Sequence, residues 1–156
     1  MGKATKLLTL ILITNVPMWA QSKKSNKMEK TIINPWQWQD ERSYVQAVEV
    51  KNVASTLYVS GQTAISDDGI SSNADMETQL VLALKNLEKV ISEAGYEPKG
   101  IVRLNIYTTS TAELWPNFKI FQDWIAKHGV KQVLTLLEVK SLFETLKVEL
   151  EATVVK

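Results

Sequence analysis

Tyr44, Ser60 and Glu149 are the side chains whose types and settings allow chemistry on a small molecule. Tyr44 opens an alternating segment, and its phenol can orient a ligand or a water; equally, a strand tyrosine can simply bridge core and solvent. Ser60 precedes Gly61, so its hydroxyl can reach a ligand in the room that a missing side chain leaves, or the pair can close a strand end. Glu149 can hold a hydrolytic water as acceptor or general base, whereas Glu151, two residues on and facing the same way, argues that carboxylates there are only solvated. Other chemistries are excluded. There is no cysteine among the 156 residues, which removes thiol catalysis, disulfides and zinc-thiolate sites together. The single histidine, His128, falls near the end of a helical stripe, where its charge suits the helix dipole, and no ligand set for a metal is grouped anywhere. No metal or cofactor is expected.

The elements that must position these groups follow from hydrophobic spacing. Tyr44 to Val50 and Thr56 to Gln62 alternate as strands, and Ser66-Asp67-Asp68-Gly69 carries the Asp-Gly pair of a tight turn. Between Ala74 and Ala94, Met76, Leu80, Ala83, Leu84, Leu87 and Ile91 recur at helical spacing, with Asn73 or Asp75 as the cap and Gly95 and Pro98 as the stop. Ile101 to Thr108 alternates Val102, Leu104 and Ile106 against Arg103, Asn105 and Tyr107. Ser110 and Glu113 have capping-box spacing, and Leu114, Phe118, Phe121 and Ile125 form a second helical stripe that ends at Gly129. Pro116 interrupts that stripe, so the helix is expected from Trp115 or Pro116 after a separate turn. Strands near 133–139 and 147–155 complete the order β-β-α-β-α-β-β, an α+β pattern whose helices cover one sheet face. The other face, carrying Arg103, Asn105, Tyr107, Glu149 and Glu151, asks for a partner subunit.

Residues 1–20 read as a secretory signal: Lys3 and Lys6 form a positive start, Leu7 to Ile13 an apolar run too short to span a bilayer, and Ala20 the cleavage position. Without a cysteine after that run, a bacterial lipid anchor is excluded. Export to the periplasm or medium is expected, with no stable membrane anchor. Residues 21–31 are polar and without hydrophobic periodicity, so they read as a spacer, and the domain is expected over 32–156. Formal net charge is +1 with no basic stripe, which disfavours a nucleic-acid partner.

Four segments in order, Tyr44-Val45-Gln46-Ala47-Val48, Tyr58-Val59-Ser60-Gly61-Gln62, Gln79 with Asn86-Leu87, and Val148-Glu149-Leu150-Glu151-Ala152, resemble the landmarks of the Rid (RidA/YjgF) family. The resemblance implies a chorismate-mutase-like α+β domain, a mixed β-sheet with two helices packed on one face, assembled as a homotrimer with small-molecule clefts between subunits. In deaminating members such clefts hydrolyse imines and enamines to ammonia and a 2-oxo acid. Carried over by position, the family's tyrosine falls on Tyr44, its serine on Ser60 beside Gly61, and its glutamate on Glu149. The family's carboxylate-binding arginine falls on Leu134, and no arginine follows Arg103. The family's asparagine falls on Phe118, with Asn117 one residue away.

A guanidinium holds a carboxylate by two charge-assisted hydrogen bonds that leucine cannot make, a loss of about 2–5 kcal/mol where the partner charge is buried. Two functions follow as expectations: an imine or enamine hydrolase of altered substrate range acting through Tyr44, Ser60 and Glu149, or a non-catalytic small-ligand-binding trimer. Arg103 and Lys140 are the cations considered as substitutes for the clamp, against the plainer reading of surface ion pairs. Trp36 and Trp38 either stack a flat ligand or pack an incoming segment onto the core.

Overall fold

A computed structural model describes Gly2 and residues 27–156; the expected signal segment otherwise lies outside the described residues. Six strands and three helices follow in the order β1 (Glu29–Ile33), β2 (Ala47–Lys51), β3 (Thr56–Thr63), α1 (Met76–Glu93), β4 (Ile101–Thr108), α2 (Thr111–Leu114), α3 (Phe118–His128), β5 (Val133–Glu138) and β6 (Val148–Val155). Among the described residues no helix is long and apolar enough to cross a membrane.

The main sheet has the order β3-β6-β4-β5, with β4 and β5 parallel and the other pairs antiparallel. It is a mixed sheet with α1 and α3 on one face, the α+β arrangement expected. The strand β6 alternates: Val148, Leu150, Ala152 and Val154 are buried, while Glu149, Glu151 and Thr153 face away. Leu104 and Ile106 of β4 meet Leu80, Leu87 and Ile91 of α1 and Phe121 of α3 in one continuous core, all of them fully buried. Burying six such side chains stabilises the fold by about 1.5–3 kcal/mol each before chain entropy is charged against them.

Local signals hold α1 in place. The Asp75 side chain accepts from the Thr78 amide at 2.9 Å, and Gly95, at φ 72°, ends the helix in the left-handed conformation. The expected turn forms too: Gly69 is at φ 79°, and the Ser66 amide donates to the Ile70 carbonyl.

Three boundaries differ from the sequence expectation. The chain pairs earlier than Ile32, because Glu29, Lys30 and Thr31, read as spacer, form β1 against Lys51, Val50 and Glu49 of β2. Their polarity hid them: this two-stranded ribbon is largely exposed, so no apolar alternation is needed. Tyr44, Val45 and Gln46 precede β2 rather than opening it, since the Val45 amide donates to the Gln132 carbonyl and the Gln46 amide to Asn34 Oδ1. The second helical stripe splits in two. Ser110 caps α2, a tight turn spans Trp115–Asn117 with Pro116 in it, and α3 starts only at Phe118.

Gln79 and Asn86 are buried or half-buried ties between α1 and its surroundings. Fully buried Gln79 places Nε2 3.1–3.2 Å from the carbonyls of Ser72, Ala74 and Thr145, and its Oε1 accepts from the Lys147 amide at 2.8 Å. Asn86 Nδ2 donates to the carbonyls of Thr63 and Ile65 at 2.8 Å, closing the end of β3. A Gln79→Leu substitution leaves the Lys147 amide without its acceptor just before β6, so urea unfolding is expected to show a loss of about 2–3 kcal/mol; an unchanged midpoint contradicts this role.

Candidate functional site

The strand β3 is irregular at the point where its candidate residues sit. Val59 pairs with Ala152 and Gln62 with Leu150, so Ser60 and Gly61 together face the single residue Glu151. Such a bulge bends the strand and re-aims side chains. Both Ser60 and Gly61 are exposed. The side chain of Glu149 lies across Gly61: a Cβ there would overlap the carboxyl group and come within 2.8 Å of Glu149 Cγ. The missing side chain is thus a requirement of the glutamate's position.

The two carboxylates of β6 have different fates. Glu151 Oε2 accepts from Asn105 Nδ2 at 3.1 Å and from the Tyr107 hydroxyl at 2.9 Å. These hydrogen bonds, from Asn105 first and Tyr107 second, hold its pKa below the ordinary range, while Tyr107 is pushed up by the same bond to Glu151. Glu151 is committed to its neighbours. Among the described residues no side-chain donor is bonded to Glu149, which leaves its oxygens available.

Tyr44, Phe118 and Leu134 are brought together elsewhere. They line a hollow of about 540 Å³ between the outer strand β5 and the start of α3, with Arg42, Trp115, Gln122 and Leu136. Phe118 stacks between Trp115, at 4.9 Å, and Phe121, at 5.2 Å, which fixes its ring as one wall. Asn117 does not join this wall: it ends the preceding turn and gives its Nδ2 to the Glu113 carbonyl at 3.0 Å. Within one chain, therefore, Gly61 and Leu134 line different hollows.

The remaining candidates divide clearly. Arg103 stands on the sheet face of Asn105 and Tyr107, where its charge helps lower the Glu151 pKa after the two hydrogen bonds named above. Leu134 pairs across from Leu104 on the core side, so Arg103 does not take over the leucine's place. Lys140 is exposed beyond β5. His128 Nε2 lies 3.3 Å from Glu88 Oε2, the oxygen that accepts from Trp124 Nε1 at 3.2 Å, so the histidine sits where α3 is tied to α1. Trp36 and Trp38 are 56% and 54% exposed and so do not pack a segment onto the core of this chain; the Arg42 guanidinium lies 5.2 Å from the Trp38 ring centroid. Arg42 and Gln122 are lining residues that sequence reasoning passed over. Arg42 reaches the hollow from a turn ninety-odd residues earlier in the chain than Leu134, a proximity that spacing along the chain does not signal. No cluster of three metal-ligating side chains exists among the described residues.

The family model described as "Endoribonuclease L-PSP" matches residues 37–156. The chain belongs to this family, the Rid family. A RutC family protein of Aquifex aeolicus is 30% identical over 113 residues, 72% of this chain and 88% of that one. Among solved structures, the Rid protein YyfB of Yersinia pestis, described as of unknown function, has 26% identity and a TM-score of 0.66, covering 81% of this chain and 98% of its own. TdcF of Escherichia coli, solved with bound serine, has a TM-score of 0.61 at 23% identity, covering 72% and 87%. TdcF is named provisionally as a reactive intermediate deaminase.

The overlap of Gly61 with Glu149 is directly measurable. Gly61→Ala is expected to push the flexible Glu149 carboxyl group aside at a modest cost of up to about 1 kcal/mol, since Gly61 is exposed. In a Glu149→Ala background the same change should cost little; equal losses in the two backgrounds contradict the contact.

Proposed function

We propose that this Rid protein is a homotrimer whose intersubunit clefts hydrolyse C=N bonds of small imines or enamines, with a substrate range altered by Leu134. The observation that carries this reading is Glu149. It is the β6 carboxylate with no side-chain donor bonded to it, set across Gly61 and beside Ser60, and so able to hold a water.

The chemistry needs little else. Water held by Glu149 adds its oxygen to the C=N carbon, and the nitrogen takes up a proton. The resulting carbinolamine then expels ammonia as its hydroxyl becomes the carbonyl of the product. Ser60 and Tyr44 supply hydroxyls that donate to the nitrogen or the carbinolamine oxygen. A neighbouring subunit supports the arrangement, because Gly61 and Leu134 line different hollows of one chain, and a trimer can set one against the other. The uncovered sheet face, with Tyr58 79% exposed, fits such burial. Behind the signal expected at residues 1–20, the trimer would work outside the cytoplasm.

A second reading is favoured by Leu134 itself: the cleft binds a small ligand without turning it over. RNA cleavage ranks below both, since a formal net charge of +1 offers little to a polyanion.

Ammonia release from freshly generated 2-iminopropanoate separates the readings. Slow wild-type turnover lost in Glu149→Gln and raised about tenfold or more in Leu134→Arg is expected for the hydrolase. Activity in neither protein favours the binding module, whereas activity indifferent to Glu149 contradicts the role given to that glutamate.

A further inference from the structure

We propose that Arg42 is the carboxylate-recognising group of the hollow beside Leu134, and that the site takes small monocarboxylates carrying a bulky apolar or aromatic body. This deepens the reading above, in that it rests on the hollow being the ligand cleft, but it does not require turnover.

The chain has two arginines, Arg42 and Arg103. Arg103 stands on the opposite sheet face near Glu151, whereas Arg42 lines the same hollow as Leu134. Among the described residues Arg42 forms no ion pair. Its guanidinium lies over the ring of Trp38, a contact that occupies one flat face and leaves the N–H groups in the plane free for an anion.

The backbone around it is held. Arg42 closes a tight turn, Asp40–Arg42, with its amide donating to the Gln39 carbonyl at 2.9 Å, and Gln39 is fully buried. Ser43 follows at φ 60° in the left-handed conformation and reverses the chain, and Gln132 Nε2 fixes its carbonyl at 2.9 Å. Gln122 Nε2 of α3 reaches the Glu41 carbonyl at 3.3 Å, tying the turn to the far wall. A cation presented from a pinned turn orients a ligand at less entropic cost than one on a free loop.

The rest of the hollow decides the other end of the ligand. Trp115, Phe118, Leu134 and Leu136 give an apolar floor and walls, and about 540 Å³ is room for an aromatic ring. Leu134 thus has a positive role as floor for such a ring. The carboxylate of Glu41 also lines the rim next to Arg42, so a second negative charge on the ligand is repelled. The site is matched to one carboxylate at the mouth and an apolar body within.

Calorimetric titration of the full-length protein tests this with 3-phenylpropanoate, its neutral amide and acetate as probes. Saturable binding of 3-phenylpropanoate is expected, with the amide and acetate each weaker by about tenfold or more. Arg42→Gln, an exposed change, should reduce acid binding to the level of the amide and leave the amide itself unaltered, Arg42→Lys should recover part of the loss, and Arg103→Gln should change nothing. Phe118→Ala should weaken acid and amide alike. No saturable binding of 3-phenylpropanoate by the wild type, equal binding of acid and amide, or a loss that follows Arg103 overturns the proposal. Since no arm reads ammonia, a protein that binds the acid through Arg42 yet releases none fails as a hydrolase and keeps this site. One that hydrolyses imines but binds the acid regardless of Arg42 does the reverse.

Discussion

Hydrogen bonding of β6 on both its edges is the constraint from which the two faces of this protein follow. With β3 on one side and β4 on the other, β6 cannot rotate or slip without breaking two ladders, and a one-residue slip would carry Glu149, Glu151 and Thr153 into the core. Val148, Leu150, Ala152 and Val154 therefore meet the core under the helices, and Glu149, Glu151 and Thr153 face away from it. The buried Gln79 amide fixes where this strand begins, by taking the Lys147 amide one residue before it.

Given that register, the bulge at Ser60 and Gly61 separates two otherwise similar carboxylates. Glu151 sits where Asn105 and Tyr107 of β4 can both reach it, and it is consumed by them. Glu149 lies two residues nearer the start of β6, over the one position of β3 that has no side chain to displace it. The difference between a structural acid and a chemically available one is here a matter of neighbours, since both residues share a strand, a face and a charge. The hollow beside Leu134 is built by different means: aromatic stacking of Trp115, Phe118 and Phe121 supplies a rigid wall, and the turn Asp40–Arg42 brings Arg42 to its lining.

Much of this was legible in the sequence where the signal is local and periodic. The span of α1, the exact limits of β4, the Asp-Gly turn and the alternation in β6 all follow from spacing and turn chemistry. The family landmarks also pointed to Tyr44, Ser60, Gly61 and Glu149 as candidates, and the fold sets Glu149 across Gly61 and Tyr44 beside Leu134. What escaped has a common cause, which is dependence on partners distant in the chain. Lys30 and Thr31 look like spacer until β2 pairs with them. The bulge is invisible because Ser60-Gly61 alternates plausibly without it. Glu149 and Glu151 could not be told apart before Asn105 and Tyr107 were seen to favour one of them. Arg42 was overlooked because its relation to Leu134 exists only in the folded chain.

The proposed hydrolysis requires a cleft shared between subunits, with Gly61 and Glu149 from one chain facing Tyr44 and Leu134 from another. The absence of native cysteine makes this measurable by cross-linking. Ser60→Cys chains and Leu134→Cys chains, co-assembled and treated with a short bis-maleimide, are expected to yield a mixed covalent dimer on denaturing electrophoresis. If no mixed dimer forms, or the protein sediments as a monomer, the shared cleft is wrong.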